Sequence, residues 1–194
     1  MISKIARAKV FKLTKAVNKP LDLVAHMPFR IAVVSNLLAF NRDWKIRSLC
    51  DLEPRELRIF INIGSYMPIK AADIAYQSRL DSYTISRAVK KLQSFGLIDV
   101  VADPANKNVK KLLLNNKGKE LYQQLVPELE ARSNAFESVL SEQEQAQFYA
   151  MIDKLENKAE EILAQQAIEL IQQGKEAPAD QKEIIRWYKK GLKS

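Results

Sequence analysis

Ser82, Tyr83, Ser86, Arg87, Lys90 and Lys91 are spaced to share one face of a single helix, and between them Ile85, Ala88, Val89 and Leu92 recur at i, i+3, i+4 and i+7. Hydroxyls and cations opposite a buried stripe suit a helix that lies in the major groove, where side chains meet base edges and phosphates. Ser82, Tyr83, Thr84, Ser86, Arg87 and Lys90 are therefore the candidate DNA contacts of this helix, with Arg87 foremost. Lys107, Asn108 and Lys110 follow on a basic hairpin, where lysine neutralises phosphate without the planar fork of arginine.

Other chemistries find little support. No nucleophile–base pair and no glycine-rich phosphate loop stands out among the five glycines, so an enzyme is not expected and no cofactor is implied. His26 is the single histidine, which excludes a multi-histidine metal site. Cys50 is the single cysteine, so no intrachain disulfide forms and a reducing cytoplasm is the expected compartment. Arg47 nearby favours the thiolate form of Cys50.

The reader helix needs supports, and the flanking sequence supplies them. Ile69–Gln77 has the small apolar positions of a short helix, Leu80 closes a turn, and Asp81 is placed to cap the next helix over 82–95. Phe95-Gly96-Leu97 marks its end, with Gly96 suited to the left-handed C′ position. Leu97–Val101 and Val109–Leu114 are expected strands around a tip at Asp103–Asn108. Upstream, one long buried helix is expected over 29–47, then a helix opened by Glu53-Pro54-Arg55-Glu56. Downstream, a helix runs over 117–136 with Pro127 inside it, and Ser141-Glu142-Gln143-Glu144 fits a capping box. Phe148, Ile152, Leu155, Ala159 and Ile162 then alternate spacings of four and three, a heptad-like seam that two chains bury together. A loop at 174–179 leads to a short amphipathic helix with Ile184, Ile185, Trp187, Tyr188 and Leu192.

Charge is unevenly shared. The chain of 194 residues has a net charge of +8 and is 47% hydrophobic, as expected of a globular, basic protein. Residues 1–50 hold Lys4, Arg7, Lys9, Lys12, Lys15 and further cations against only Asp22 and Asp43. Over 117–166 acids outnumber cations, so one end suits a polyanion and the other does not. No apolar run approaches the ~20 residues of a membrane span, and no membrane partner is expected.

Helix, helix, hairpin in this order is the winged-helix layout, and the residues resemble the MarR family of bacterial transcriptional regulators. The resemblance runs over Leu52–Leu163. It rests on Leu52-Glu53-Pro54-Arg55-Glu56-Leu57, Asp73-Ile74-Ala75, and the reader pattern Asp81-x-x-x-Ile85-Ser86-Arg87-x-Val89-x-x-Leu92. Phe95-Gly96-Leu97-Ile98, Asp103-Pro104 and Leu114-Asn115-Asn116-Lys117-Gly118 complete it. Three positions depart from the family pattern: Arg79 where the turn has a small residue, Asn106-Lys107-Asn108 where the wing has an aspartate and arginines, and Asn115 where a hydroxyl is usual.

The resemblance implies a mainly α fold with a small two- to three-stranded β wing. The expected organisation is a basic extension over 1–27, an N-terminal dimerisation helix over 28–50, the winged helix-turn-helix over 51–116, C-terminal dimerisation helices over 117–166, and an extension over 167–194. It further implies a homodimer that binds a palindromic double-stranded operator as a repressor, with a small-molecule effector acting on dimer geometry. Half-sites would lie about one helical turn (~34 Å) apart. The rival reading is a winged-helix protein-interaction module without a specific DNA target; the resemblance also implies, as a subordinate alternative, a one-cysteine redox sensor of the same fold at Cys50.

Overall fold

The computed structural model describes residues 11–192. Lys4, Arg7 and Lys9 of the basic extension lie outside the described residues. Among the described residues, eight α-helices, one 3-10 turn and one two-stranded antiparallel sheet follow in chain order. They are α1 (Met27–Leu38), the 3-10 turn (Phe40–Arg42), α2 (Trp44–Leu49), α3 (Pro54–Tyr66), α4 (Ala71–Ser78), α5 (Ser82–Ser94), β1 (Ile98–Asp103), β2 (Asn106–Leu114), α6 (Asn116–Glu137), α7 (Glu142–Gln172) and α8 (Ala179–Gly191). No helix among the described residues is long and apolar enough to cross a membrane.

The core belongs to the central segment. Leu57, Phe60 and Ile63 of α3, Ile74 of α4, and Ile85 and Leu92 of α5 are almost entirely shielded from solvent. The wing closes this core from one side. Ile98 pairs with Leu114 and Val100 with Leu112, so one face of the ribbon is apolar, as period-two alternation requires. Ile69 adds a third rung: its N–H donates to Leu112 O at 3.1 Å and its carbonyl accepts from Leu112 N–H at 2.8 Å. A lone hairpin is marginal in water, and this attachment makes it part of the lobe.

Two expectations are corrected here. The single buried helix over 29–47 is three pieces, and α1 has no residue buried among the described ones. Ala39 takes an extended conformation (ψ 129°), and Asp43 starts a new helix by accepting from the N–H groups of Lys45 and Ile46. The break is held from far along the chain. Arg132 of α6 donates to Leu38 O at 2.9 Å and approaches Asp43 Oδ2 at 3.5 Å, so its guanidinium satisfies the freed carbonyl end of α1. Second, the tip is shorter than 103–108: β2 already begins at Asn106, leaving Pro104-Ala105 as the turn. Lys107 and Asn108 thus belong to a strand, in the stretch of β2 that lies at the register shift opposite Ala102 and Asp103.

Other starts and stops follow local chemistry. Glu56 reaches back to the Glu53 N–H at 3.0 Å to open α3, and Ser141 with Glu144 forms the expected capping box of α7. Gly96 has φ +64°, the left-handed C′ conformation that ends α5. Gly118 serves a close approach instead: a Cβ there would lie 2.0 Å from Leu97 O, so only glycine lets α6 start against the end of α5.

Candidate nucleic-acid interface

The helix-turn-helix is α4 and α5, joined at Arg79-Leu80. Arg79 adopts the left-handed conformation (φ 50°, ψ 40°) and its N–H donates to Ala75 O, which ends α4. Arginine is uncommon there, since left-handed backbone costs a residue with Cβ about 1–2 kcal/mol. The side chain offsets part of that cost. Its Nε lies 2.7 Å from Glu160 Oε2 and its Nη2 lies 3.4 Å from Glu156 Oε1, both on α7, while its guanidinium stacks 4.4 Å from the Tyr76 ring.

Asp81 caps α5 as its type and position require. Its carboxylate accepts from Thr84 N–H at 2.8 Å and from the Thr84 hydroxyl at 2.7 Å. These bonds, the hydroxyl first, hold the Asp81 carboxyl below the usual carboxylate range. Thr84 is thereby committed to the cap and is half-buried. The helix then divides cleanly. Ile85, Ala88 and Leu92 are buried, whereas Tyr83, Ser86, Arg87 and Lys90 are exposed. Arg87 stacks 5.7 Å from the Tyr83 ring, one turn back, so cation and phenol present a joined surface. Tyr83 is 71% exposed, an unusual position for a large aromatic with no outside partner.

Ser82 is exposed but not idle. Its N–H and hydroxyl both donate to the Glu183 carboxylate of α8, across 101 positions of sequence. Nothing in the spacing of 82–90 points to this contact.

On the wing, Lys107, Asn108 and Lys110 are exposed. Lys111 is not available in the same way, because its Nζ lies 3.0 Å from Asp103 Oδ2. The Asp103 carboxyl is held low by the Ala105 N–H and then by Lys111, a pairing that braces the turn. Asn115 takes over the work of the expected hydroxyl: its Oδ1 accepts from Gly118 N–H and its Nδ2 donates to Gly96 O. The departure at this position therefore preserves the cap and ties the start of α6 to Gly96, just past the end of α5.

Cys50 lies outside this surface. Burial pushes its thiol up, with Asp51 adding to the rise and the Leu52 N–H opposing it. That is the wrong direction for a reactive thiolate, and it counts against redox sensing. His26 is half-buried and caps α1, its Nδ1 accepting from Phe29 N–H at 3.3 Å.

Comparison with known proteins fits this geometry. The MarR family model matches residues 52–110, from the start of α3 through most of the wing. The uncharacterized HTH-type transcriptional regulator YybA of Bacillus subtilis (strain 168) is 31% identical over 104 residues, covering 54% of this chain and 67% of that protein. Among solved structures, the MepR–DNA complex of S. aureus superposes with a TM-score of 0.63 at 18% identity, covering 69% of this chain and 98% of that one. PcaV of Streptomyces coelicolor, in complex with its natural ligand, gives 0.61 at 19% identity over 73% and 99% of the two chains. With its helix-turn-helix, wing and flanking helices in the same order, the chain belongs to the MarR family of transcriptional regulators.

Proposed function

We propose that this chain is a dimeric, sequence-specific double-stranded DNA-binding regulator, most simply a repressor acting in a bacterial cytoplasm. The observation that carries the reading is the division of α5 into a buried stripe and an exposed face of Tyr83, Ser86, Arg87 and Lys90. In the major groove, Arg87 and the hydroxyls would reach base edges, while Lys107, Asn108 and Lys110 would follow the flanking backbone. Bound DNA in the structure of a fold relative supports this orientation of the function.

Dimerisation is supported by what a single chain leaves uncovered. Phe148, Ile152, Leu155 and Ile162 of the α7 seam are between 38% and 47% exposed, and Ala159 is exposed between them. Phe29, Ile31, Val34 and Leu37 of α1 are also exposed to solvent. Apolar faces of this extent mark association surfaces. A two-fold dimer would set two copies of α5 about one helical turn (~34 Å) apart, which calls for a palindromic operator.

A small effector would act by changing that separation, shifting the population between competent and incompetent dimers. A groove of about 670 Å³ lies where the reader lobe meets α7 and α8, lined by Tyr66, Pro68, Asp73, Tyr76, Arg79 and Lys190. A ligand bound there would bear on the angle between lobe and arm. The ligand-bound state of PcaV supports effector control in this fold.

The direct test is titration of wild type and Arg87→Ala on an operator selected from random duplexes. The substitution is expected to cost about 1–3 kcal/mol and to relax the preference at one base position. Equal binding by the two proteins would remove α5 as the reader.

A further inference from the structure

The DNA-reading function leaves α8 unused, yet α8 is joined to the first residue of the reader. Glu183 Oε2 accepts from the Ser82 N–H at 3.0 Å, and its Oε1 accepts from the Ser82 hydroxyl. The first N–H groups of a helix have no carbonyl partner within it, and with the helix dipole they form a seat for an anion. On a reader helix, the external anion suited to that seat is a DNA phosphate. Glu183 fills it with a carboxylate that is only 12% exposed.

The contact is built from several sides. Lys190 lies 4.2 Å from the Tyr76 ring and 3.7 Å from Asp73, so α8 also grips α4. Trp187 packs against the central core near Arg79. On the opposite flank Ile185 is buried against Ala167 and Ala177. The turn cation Arg79 is meanwhile held by Glu156 and Glu160 of α7. Three carboxylates of the C-terminal helices thus engage the turn cation and the first donors of the reader.

Resting on the DNA-reading function above, we propose that α8 is a built-in competitor of DNA, with Glu183 holding the phosphate seat at the head of α5 so that full operator engagement displaces it. Tyr83, Ser86, Arg87 and Lys90 remain exposed while α8 is docked. The competition is therefore for a backbone contact and not for base edges, and it lowers affinity for all sequences alike. The opposite role is physically available: α8 has Lys182, Arg186, Lys189 and Lys190 against Asp180 and Glu183, and its cations would add phosphate contacts if it stayed in place.

The test uses the full chain with Glu183→Gln, beside Glu120→Gln as an equal charge change at an exposed site on α6. Glu183→Gln is expected to bind duplexes about tenfold tighter, the difference between a charge-assisted and a neutral hydrogen bond, with sequence preference unchanged. Glu120→Gln should stay within about twofold, as befits an exposed charge. Hydrogen exchange on the wild type gives a readout that needs no variant: amides of α8 should exchange faster in the DNA complex than in the free protein. Equal or weaker binding by Glu183→Gln, or greater protection of α8 in the complex, overturns the proposal. If Arg87→Ala loses binding while Glu183→Gln matches wild type, only this inference fails; if no variant binds any duplex, the DNA-reading function fails with it.

Discussion

The reader lobe and the helices that flank it treat water in opposite ways. Within the lobe, Phe60, Ile63, Ile74, Ile85 and Leu92 are essentially inaccessible, and the wing, α3 and the start of α6 close around them in one chain. On the flanks, α1 buries nothing among the described residues, and the first two-thirds of α7 leaves its apolar seam in solvent. The only α7 residues with full burial are Ala164 and Ala167 near its end, the latter packed in the cluster with Ala177 and Ile185. A lobe that satisfies itself and arms that do not are what a two-fold assembly requires. In the proposed dimer, the uncovered faces of the arms would meet and set the spacing of the two lobes.

The largest effects should separate the two regions. Phe60→Ala, within the lobe, should cost about 3–5 kcal/mol in denaturant unfolding, because it empties a fully packed site. Ile152→Asp with Leu155→Asp, on the arm, should leave the lobe folded but shift the chain to monomer by sedimentation. Loss of the linked second half-site should then weaken operator binding by about 100-fold or more. If the arm variant unfolded the lobe instead, the two regions would not be independent.

Smaller effects sharpen the description of the lobe itself. Asp81→Ala should cost about 1 kcal/mol at neutral pH through loss of the α5 cap. The Asp81 carboxyl is lowered in the folded protein, so its contribution is present above the ordinary carboxylate range and is lost as pH falls through the lowered value. Thermal unfolding of wild type and variant should therefore converge on acidification and diverge toward neutrality. Least of all, Lys107→Ala should weaken binding to every duplex alike and reduce the salt slope by about one, without altering preference.

Much of the lobe was legible because its determinants are local. Asp81 caps the helix it immediately precedes, Gly96 has the positive φ its place after α5 calls for, and Ile85, Ala88 and Leu92 are buried at the spacing that predicts it. The wing's position was legible too, although β-branched content alone stopped β2 three residues short of Asn106. What could not be read depends on partners far along the chain. The break at 39–43 is held by Arg132, some ninety positions away, and the apolar run 31–40 looks in isolation like a buried helix. Ser82 looked like a free contact because Glu183 lies 101 positions downstream. Arg79 was recognisable as a departure at the turn, but its ion pairs with Glu156 and Glu160 become visible only once α7 is packed beside it.

In the proposed dimer, two lobes are spaced by shared arms so that their α5 helices read one palindrome. Selection of bound duplexes from a random pool by the full chain, followed by sequencing, tests this directly. The expected result is an inverted repeat whose half-sites are centred about one helical turn, roughly 10 base pairs, apart. Enrichment of a single unpaired half-site, or no enrichment at all, would contradict it.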